Sequence, residues 1–383
     1  MRRWAVLGVW LLASCEPRAV APSQEPALAT LLRADDPGFA TAAGPRTFEF
    51  PEDHGPHDGF RNEWWYFTGN LDDAAGQRFG YELTLFRFAL APPSLGTVAP
   101  GPWRTQHVFV GHFAISDVAN DAFYTAERVS RQHSQLAGAQ ADPLRVFIDD
   151  WEIAQTTGAD ANTWRLRAAH GDTAINLTVR SLRNPVLNGD RGRSQKSSDP
   201  QNASYYYSIP RWATHGQVTV QGKSTAVTGE SWLDREWSSS ALGDDQLGWD
   251  WFALQLNDGS ELMLYQLRRR DGSIDPFSSG TWRRSTNDVQ RLSHNDFSLT
   301  VTDEWRNDTG AIYPAGWHIE IPGESVVLDV TPAMANQELK TIVRYWEGAV
   351  DVTGNHGNDA LQGRGYVELT GYADKTRQGL GRR

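Results

Sequence analysis

The densest run of chemistry-bearing residues is Trp232-Leu233-Asp234-Arg235-Glu236-Trp237. On an extended chain side chains alternate between faces, so Trp232, Asp234 and Glu236 share one face and Leu233, Arg235 and Trp237 the other. Two carboxylates beside an indole, turned into a dry cavity, repel each other and lose hydration, and both effects raise a carboxyl pKa toward neutrality. A carboxylic acid that keeps its proton can protonate a carbon–carbon double bond; aromatic faces then shelter the cation and water adds to it. The competing reading pairs Asp234 and Glu236 with Arg235, or with another arginine at a domain junction, and leaves them structural.

A second group is Asp53, His54, His57, Asp58 and Glu63. Its H-x-x-H spacing suggests a metal, yet Gly55 and Pro56 put the histidines in a turn and no third fixed ligand is evident. No metal is expected; the side chains should close one end of a barrel and hydrogen-bond the start of a strand at Glu63. The alternative is that His57 or His54 faces a pocket as a general base. His107 and His112 lie five apart in a strand-like run, on opposite faces, and should not share a site. Ser238-Ser239-Ser240 lacks the G-x-S-x-G elbow of a serine hydrolase, and no Gly-rich stretch has a phosphate or dinucleotide fingerprint. No cofactor is expected.

The elements that must position these residues read as strands. Aromatic and β-branched runs such as residues 63–69, 78–90, 107–116, 249–257, 262–268 and 365–370 are bounded by Gly, Asn, Asp and Pro, and no long helical pattern interrupts them. The fold class is therefore all-β, with about a dozen or more strands, too many for one small barrel. Two units should join near residues 225–245. Residues 187–204 read as an exposed loop before Tyr205-Tyr206-Tyr207. Alternation sets Trp65 against Trp64 and Tyr66, and sets Trp249 and Trp251 against Asp250 and Phe252. Most rings should fill barrel cores; Trp232, Trp249, Trp251 and Trp65 are the ligand-lining candidates.

The chain of 383 residues is 39% hydrophobic, which excludes wholesale disorder, and carries 16 Trp against 3 Met, favouring rigid aromatic surface. A net charge of -11 with no basic cluster argues against nucleic acid as a partner. Arg2-Arg3, an apolar run from Trp4 to Leu12, and then Ala13-Ser14-Cys15 resemble a lipoprotein signal peptide over residues 1–15. Cys15 is the sole cysteine and sits where lipid would be attached. The expectation is acylation of Cys15, a flexible tether over 16–45, and a periplasm-facing cell-envelope protein held to a bacterial membrane by its lipid. A plain secretory signal is the alternative.

The run Phe50-Pro51-Glu52-Asp53-His54-Gly55-Pro56-His57, followed by Glu63-Trp64-Trp65-Tyr66-Phe67-Thr68-Gly69-Asn70-Leu71, resembles the lipocalin-like family of carotenoid 1,2-hydratases and AttH-type secreted proteins. Residues 112–116, 206–208, 229–237, 313–317, 345–349 and 365–371 continue the resemblance, which covers about 46 to 373. It implies two lipocalin-like β-barrel domains packed side by side, 46–236 and 237–376. It also implies two functional branches. In the hydratase branch the proposed proton donor is an aspartate two residues after an aromatic, which matches Trp232 and Asp234. Tyr206 and Ser208 fall where that branch supplies further pocket groups. Arg235-Glu236-Trp237 looks instead like the AttH branch, whose members are labelled predicted secreted hydrolases or ABC-transporter-associated lipoproteins. The resulting expectation is an exported lipoprotein that binds an apolar, isoprenoid or lipid-like ligand between its domains, accessory to an ABC transporter permease. The alternative is a cofactor-independent hydro-lyase, carotenoid 1,2-hydratase-like, using Asp234, Glu236, Tyr206 and His57, with Trp232, Trp249, Trp251, Trp65 and Ser208 around the ligand.

Overall fold

The computed structural model describes residues 38–93 and 105–373, apart from residues 157, 159, 241, 286 and 287. Cys15 and its signal-like flank lie outside the described residues. No helix among those described is long and apolar enough to cross a membrane.

The strands of the first sheet are β1 (Asn62–Asp73), β2 (Arg78–Ala89), β3 (His107–Asp117), β4 (Ala122–Arg131), β5 (Ala137–Gln140), β6 (Arg145–Ile148), β7 (Trp151–Gln155), β8 (Thr163–His170), β9 (Thr173–Ser181), β10 (Val186–Leu187), β11 (Arg193–Gln195), β12 (Ala203–Val220) and β13 (Lys223–Ser238). Those of the second are β14 (Gln246–Leu256), β15 (Glu261–Arg269), β16 (Ser279–Ser285), β17 (Asp288–Ser293), β18 (Ser298–Arg306), β19 (Ile312–Ile321), β20 (Val326–Pro332), β21 (Glu338–Lys340), β22 (Arg344–His356) and β23 (Asp359–Leu369). The first runs β4-β3-β2-β1-β13-β12-β9-β8-β7-β6-β5, and the second β17-β16-β15-β14-β23-β22-β20-β19-β18. Both curl into barrel-like shapes, the first nearly closed and the second a half-barrel. The fold is therefore all-β and two lipocalin-like domains.

Alternation along the strands divides the apolar residues among three cores. Trp65, Phe67, Trp151, Trp164, Trp212 and Trp237 fill the first barrel. Phe252, Trp282, Trp317 and Trp346 fill the second. The third cluster, with Tyr66, Tyr206, Trp232, Trp251, Tyr265 and Tyr366, comes from the outer faces of both sheets and forms the seam between them. Close approach there depends on Gly80 of β2, where a Cβ would stand 2.8 Å from the Ala349 side chain and 3.0 Å from the Tyr366 hydroxyl. Ion pairs lock the end of the seam near the β1–β2 turn: Arg78 to Asp351 at 2.5 Å and Arg364 to Asp72 at 2.5 Å. There the Asn70 amide also donates to the Gly365 carbonyl, at 3.0 Å.

Residues 187–204 depart from the exposed loop that their polarity suggests. β10 and β11 pair with β12, and Asn188, Ser194, Lys196 and Asn202 are buried. Polar side chains are buried here because they bond across the seam: Ser194 shares a hydrogen bond with the Tyr265 hydroxyl at 2.9 Å, and Thr281 donates to Asn188 at 2.9 Å. This segment delivers Lys196 to the site.

Candidate functional site

Strand register assembles the site as two facing rungs. Across the first sheet Glu127, His112, Thr84, Tyr66, Asp234 and Ser208 stand directly opposite one another in turn, on β4, β3, β2, β1, β13 and β12. Across the second, Glu347, Glu368, Trp251 and Tyr265 do the same on β22, β23, β14 and β15. The rungs enclose a cavity of about 450 Å³ whose lining also includes Trp64, Phe86, Lys196, Tyr206, Glu236 and Trp249. Leu90, Val129 and Ile342 line it as well and are exposed, so its mouth is apolar.

Asp234 is buried in this wall with a donor on every side. Its Oδ1 accepts from the Ser208 hydroxyl at 2.6 Å and from the Trp232 indole N–H at 2.6 Å, and its Oδ2 accepts from the Tyr206 hydroxyl. The Trp251 indole N–H donates in turn to the Tyr206 oxygen, at 3.1 Å, tying the second barrel to the arrangement. Burial pushes the Asp234 carboxyl up to about 7, against the opposing pull of the three donors and with Glu236 adding to the rise. Glu236 accepts from the Ser204 hydroxyl and pairs with the Lys196 ammonium at 3.2 Å. Burial works against the charge on Lys196, but the Glu236 carboxylate outweighs it and raises the ammonium above its usual range. Neither acid pairs with an arginine, because Arg235 points through the opposite face of β13 to Glu63.

Three further carboxyls, missed in the sequence, belong to the seam: Glu347 and Glu368 line the cavity with Asp234, and Glu82 on β2 adjoins Glu368 and Glu347. Burial pushes Glu82 and Glu368 up to about 8 against hydrogen bonds from Thr84 and Trp249, with neighbouring acids adding to the rise. Burial followed by repulsion from Glu82 and Glu368 lifts Glu347 well above the ordinary range, against hydrogen bonds from Tyr66 and Tyr345. A signal for two of them was present: Tyr345-x-Glu347 and Tyr366-x-Glu368 repeat the aromatic-x-acid spacing of Trp232-x-Asp234, which puts ring and acid on one strand face. His112 was likewise missed.

His57 and Trp65 do not join this cavity. Trp65 lies on the inner face of the first barrel, one sheet thickness away, because odd and even positions of β1 look in opposite directions, and His57, in the segment before β1, packs against the same inner-face residues. His57 bonds Asp53 at 2.9 Å and stacks on Trp237 at 3.7 Å; the Trp65 ring lies 3.8 Å beneath the Arg235 guanidinium and its N–H donates to the His54 carbonyl at 2.8 Å. At the centre Glu63 is fully buried between Arg87 and Arg235, whose charges outweigh burial and hold its carboxyl well below the usual range. The Asp53–Glu63 group thus closes the barrel end. Among the described residues no group of three His, Cys, Asp or Glu is arranged to hold a metal ion. A wider recess of about 880 Å³ beside Arg46, Trp164 and Arg183 has no carboxylate in its lining, and its Arg46 and Arg183 are engaged by Asp53 and Glu261.

The raised acids make stability depend on pH. Free carboxyls titrate at about 4, so between about 4 and 8 the folded chain holds protons that the unfolded chain has lost, and unfolding is favoured as pH rises. The buried neutral histidines His54 and His107 act in the opposite sense below about 6.5. A melting temperature that falls from pH 6.5 to 8 is therefore expected; calorimetry showing a rise over that interval would contradict the placement of these carboxyls.

A family model described as AttH-like matches residues 41–372. No curated protein matches the chain. Among solved structures, a protein of Nitrosomonas europaea assigned as an AttH superposes with a TM-score of 0.77 at 32% identity, covering 87% of this chain and all of that one. Kievitone hydratase from Nectria haematococca superposes at 0.66 with 17% identity, covering 88% of this chain and 96% of its own, which supports the fold.

Proposed function

We propose that this chain, which belongs to the AttH-like family, takes an apolar, isoprenoid or lipid-like ligand into the seam cavity and adds water to one of its C=C bonds by proton exchange with Asp234. The observation that carries the reading is Asp234 itself: a carboxyl titrating near neutrality, buried in an aromatic-walled cavity and held by Tyr206, Ser208 and Trp232. A group whose pKa lies near working pH can both hold and release a proton during a reaction. Trp249 and Trp251 line the cavity, with Tyr66 edge-on to Trp251 at 5.1 Å, and offer aromatic surface to a developing cation, whereas Trp232 and Ser208 lie outside the lining and act by donating to Asp234. The hydratase at 17% identity contributes fold likeness only.

The test is incubation of the purified protein with lycopene and with geraniol in ¹⁸O-water. Label in an alcohol product is expected, and unchanged alkene from both probes would sink the hydration reading. A carrier that hands its ligand to an ABC transporter permease is the second reading, favoured by the exposed apolar rim of Leu90, Val129 and Ile342. It predicts stoichiometric co-purification of an unmodified apolar ligand, read by mass spectrometry of natively purified protein.

We also propose that Cys15 is lipidated and holds the protein at a bacterial membrane, facing the periplasm, on the strength of the signal-like residues before it. Cys15→Ser should move the protein into the soluble fraction; unchanged membrane fractionation would defeat the lipidation.

A further inference from the structure

The two walls of the cavity treat their acids differently. Asp234 accepts three hydrogen bonds, one from a hydroxyl and one from an indole on Oδ1 and one from a phenol on Oδ2, which is the pattern that stabilises a carboxylate. Glu347, in the facing wall, is fully buried, and the groups that act on it are the acids Glu82 and Glu368 and the phenols of Tyr66 and Tyr345, with no cation among them. Tyr66 faces Glu347 across the seam, and Thr84 faces Glu82, both hydroxyls being buried with the acids they meet. A buried carboxyl crowded by other acids and given no cation keeps its proton, since an uncompensated buried charge is costly.

Glu347 also adjoins a path out. The Glu127 carboxylate lies 3.1 Å from His112 Nε2, and His112 Nδ1 lies 2.6 Å from the Tyr345 hydroxyl. With Nε2–H donating to Glu127, Nδ1 accepts from Tyr345, whose oxygen remains free to accept from Glu347, two residues along on the same face of β22. Glu127 is partly exposed at the cavity mouth, so the chain ends in solvent.

We propose that Glu347 is the proton donor of the cavity and Asp234 the proton acceptor, with Glu127, His112 and Tyr345 forming the path that reloads Glu347 from solvent. The inference rests on the hydration reading and fixes its direction. The Glu347 O–H proton and the alkene π pair form the new C–H bond, leaving a carbocation and a Glu347 carboxylate. A water lone pair forms the C–O bond, and the proton shed by that water passes to Asp234. On product release Asp234 returns its proton to water, and Glu347 regains one through Tyr345 and His112. The sum is alkene plus water giving alcohol, with no oxidant or reductant. The groups that set the ionisation of Glu347 are Glu82 on β2, Glu368 on β23, Tyr66 on β1 and Tyr345 on its own strand; Asp234 and Glu236 act on Glu368, and Lys196 is occupied by Glu236.

Two experiments separate this from the reading on which it rests. In the ligand-free protein at pH 8, above the value to which Asp234 is pushed, the infrared carboxylic-acid C=O band should lose intensity in Glu347→Gln, while Asp234→Asn chiefly reduces the carboxylate band. The inverse pattern overturns the assignment whether or not any alkene is turned over. With lycopene in D₂O, Glu347→Gln should cut C–D bond formation by about 100-fold or more. Asp234→Asn should still exchange deuterium into recovered alkene yet form no alcohol. His112→Asn should slow the later turnovers more than the first, a split that a purely structural histidine would not produce. Deuterium entering in Glu347→Gln at the wild-type rate would remove Glu347 as donor.

Discussion

Asp234→Asn is expected to lower hydration of lycopene or geraniol by about 10²- to 10⁴-fold while the protein still folds. The carboxamide fills the same volume but cannot take up or release a proton in this range. Its oxygen can keep two of the three donors, and its NH₂ must face the third, at a cost of about 1–3 kcal/mol for one mismatched buried group. Against that cost stands a gain: the wild-type carboxyl is pushed up to about 7 by burial, so the variant no longer has to accommodate a buried charge above neutrality. The melting temperature should therefore shift little at pH 8 while activity disappears. Full activity in a folded Asp234→Asn protein would remove Asp234 from the chemistry.

The second large effect lies on the other face of the same strand. Arg235→Ala should destabilise the first barrel by about 3–5 kcal/mol, because it leaves the fully buried Glu63 with one guanidinium in place of two. Arg235 also donates to the Gly55 carbonyl at 2.5 Å and covers the Trp65 ring, so packing is lost together with charge. Urea denaturation should show the loss at pH 7 and a smaller loss in the Glu63→Gln background, where no buried anion is left unpaired. Equal losses in both backgrounds would mean that packing, and not the ion pair, dominates.

The contrast between these residues explains how much of the site was legible in the sequence. Alternation correctly sorted Trp232, Asp234 and Glu236 from Leu233, Arg235 and Trp237, because a strand period of two is a local property. It also separated Trp65 from Trp64 and Tyr66. What it could not supply is which face meets the other domain, so Trp65 and His57 were grouped with residues a sheet thickness away. Glu82, Glu347 and Glu368 were beyond reach for a different reason. They come from β2, β22 and β23, and their meeting depends on how the two sheets dock, which no local pattern encodes. Polarity misled once: residues 187–204 look solvated, yet their hydrogen bonds are spent across the seam.

The seam resembles a bound book. Its spine is the end where Arg78, Asp351, Asp72 and Arg364 interlock, and the fore-edge is the opposite end of the same strands, where Leu90, Val129 and Ile342 surround the cavity mouth. On the hydration reading proposed above, a long chain-like guest would enter such a cleft tip first and leave its remainder outside. The bond that meets Asp234 would then be chosen by its distance from the tip, within what about 450 Å³ can hold. A protein acting so would gauge chain ends, indifferent to how far the tail extends beyond the page.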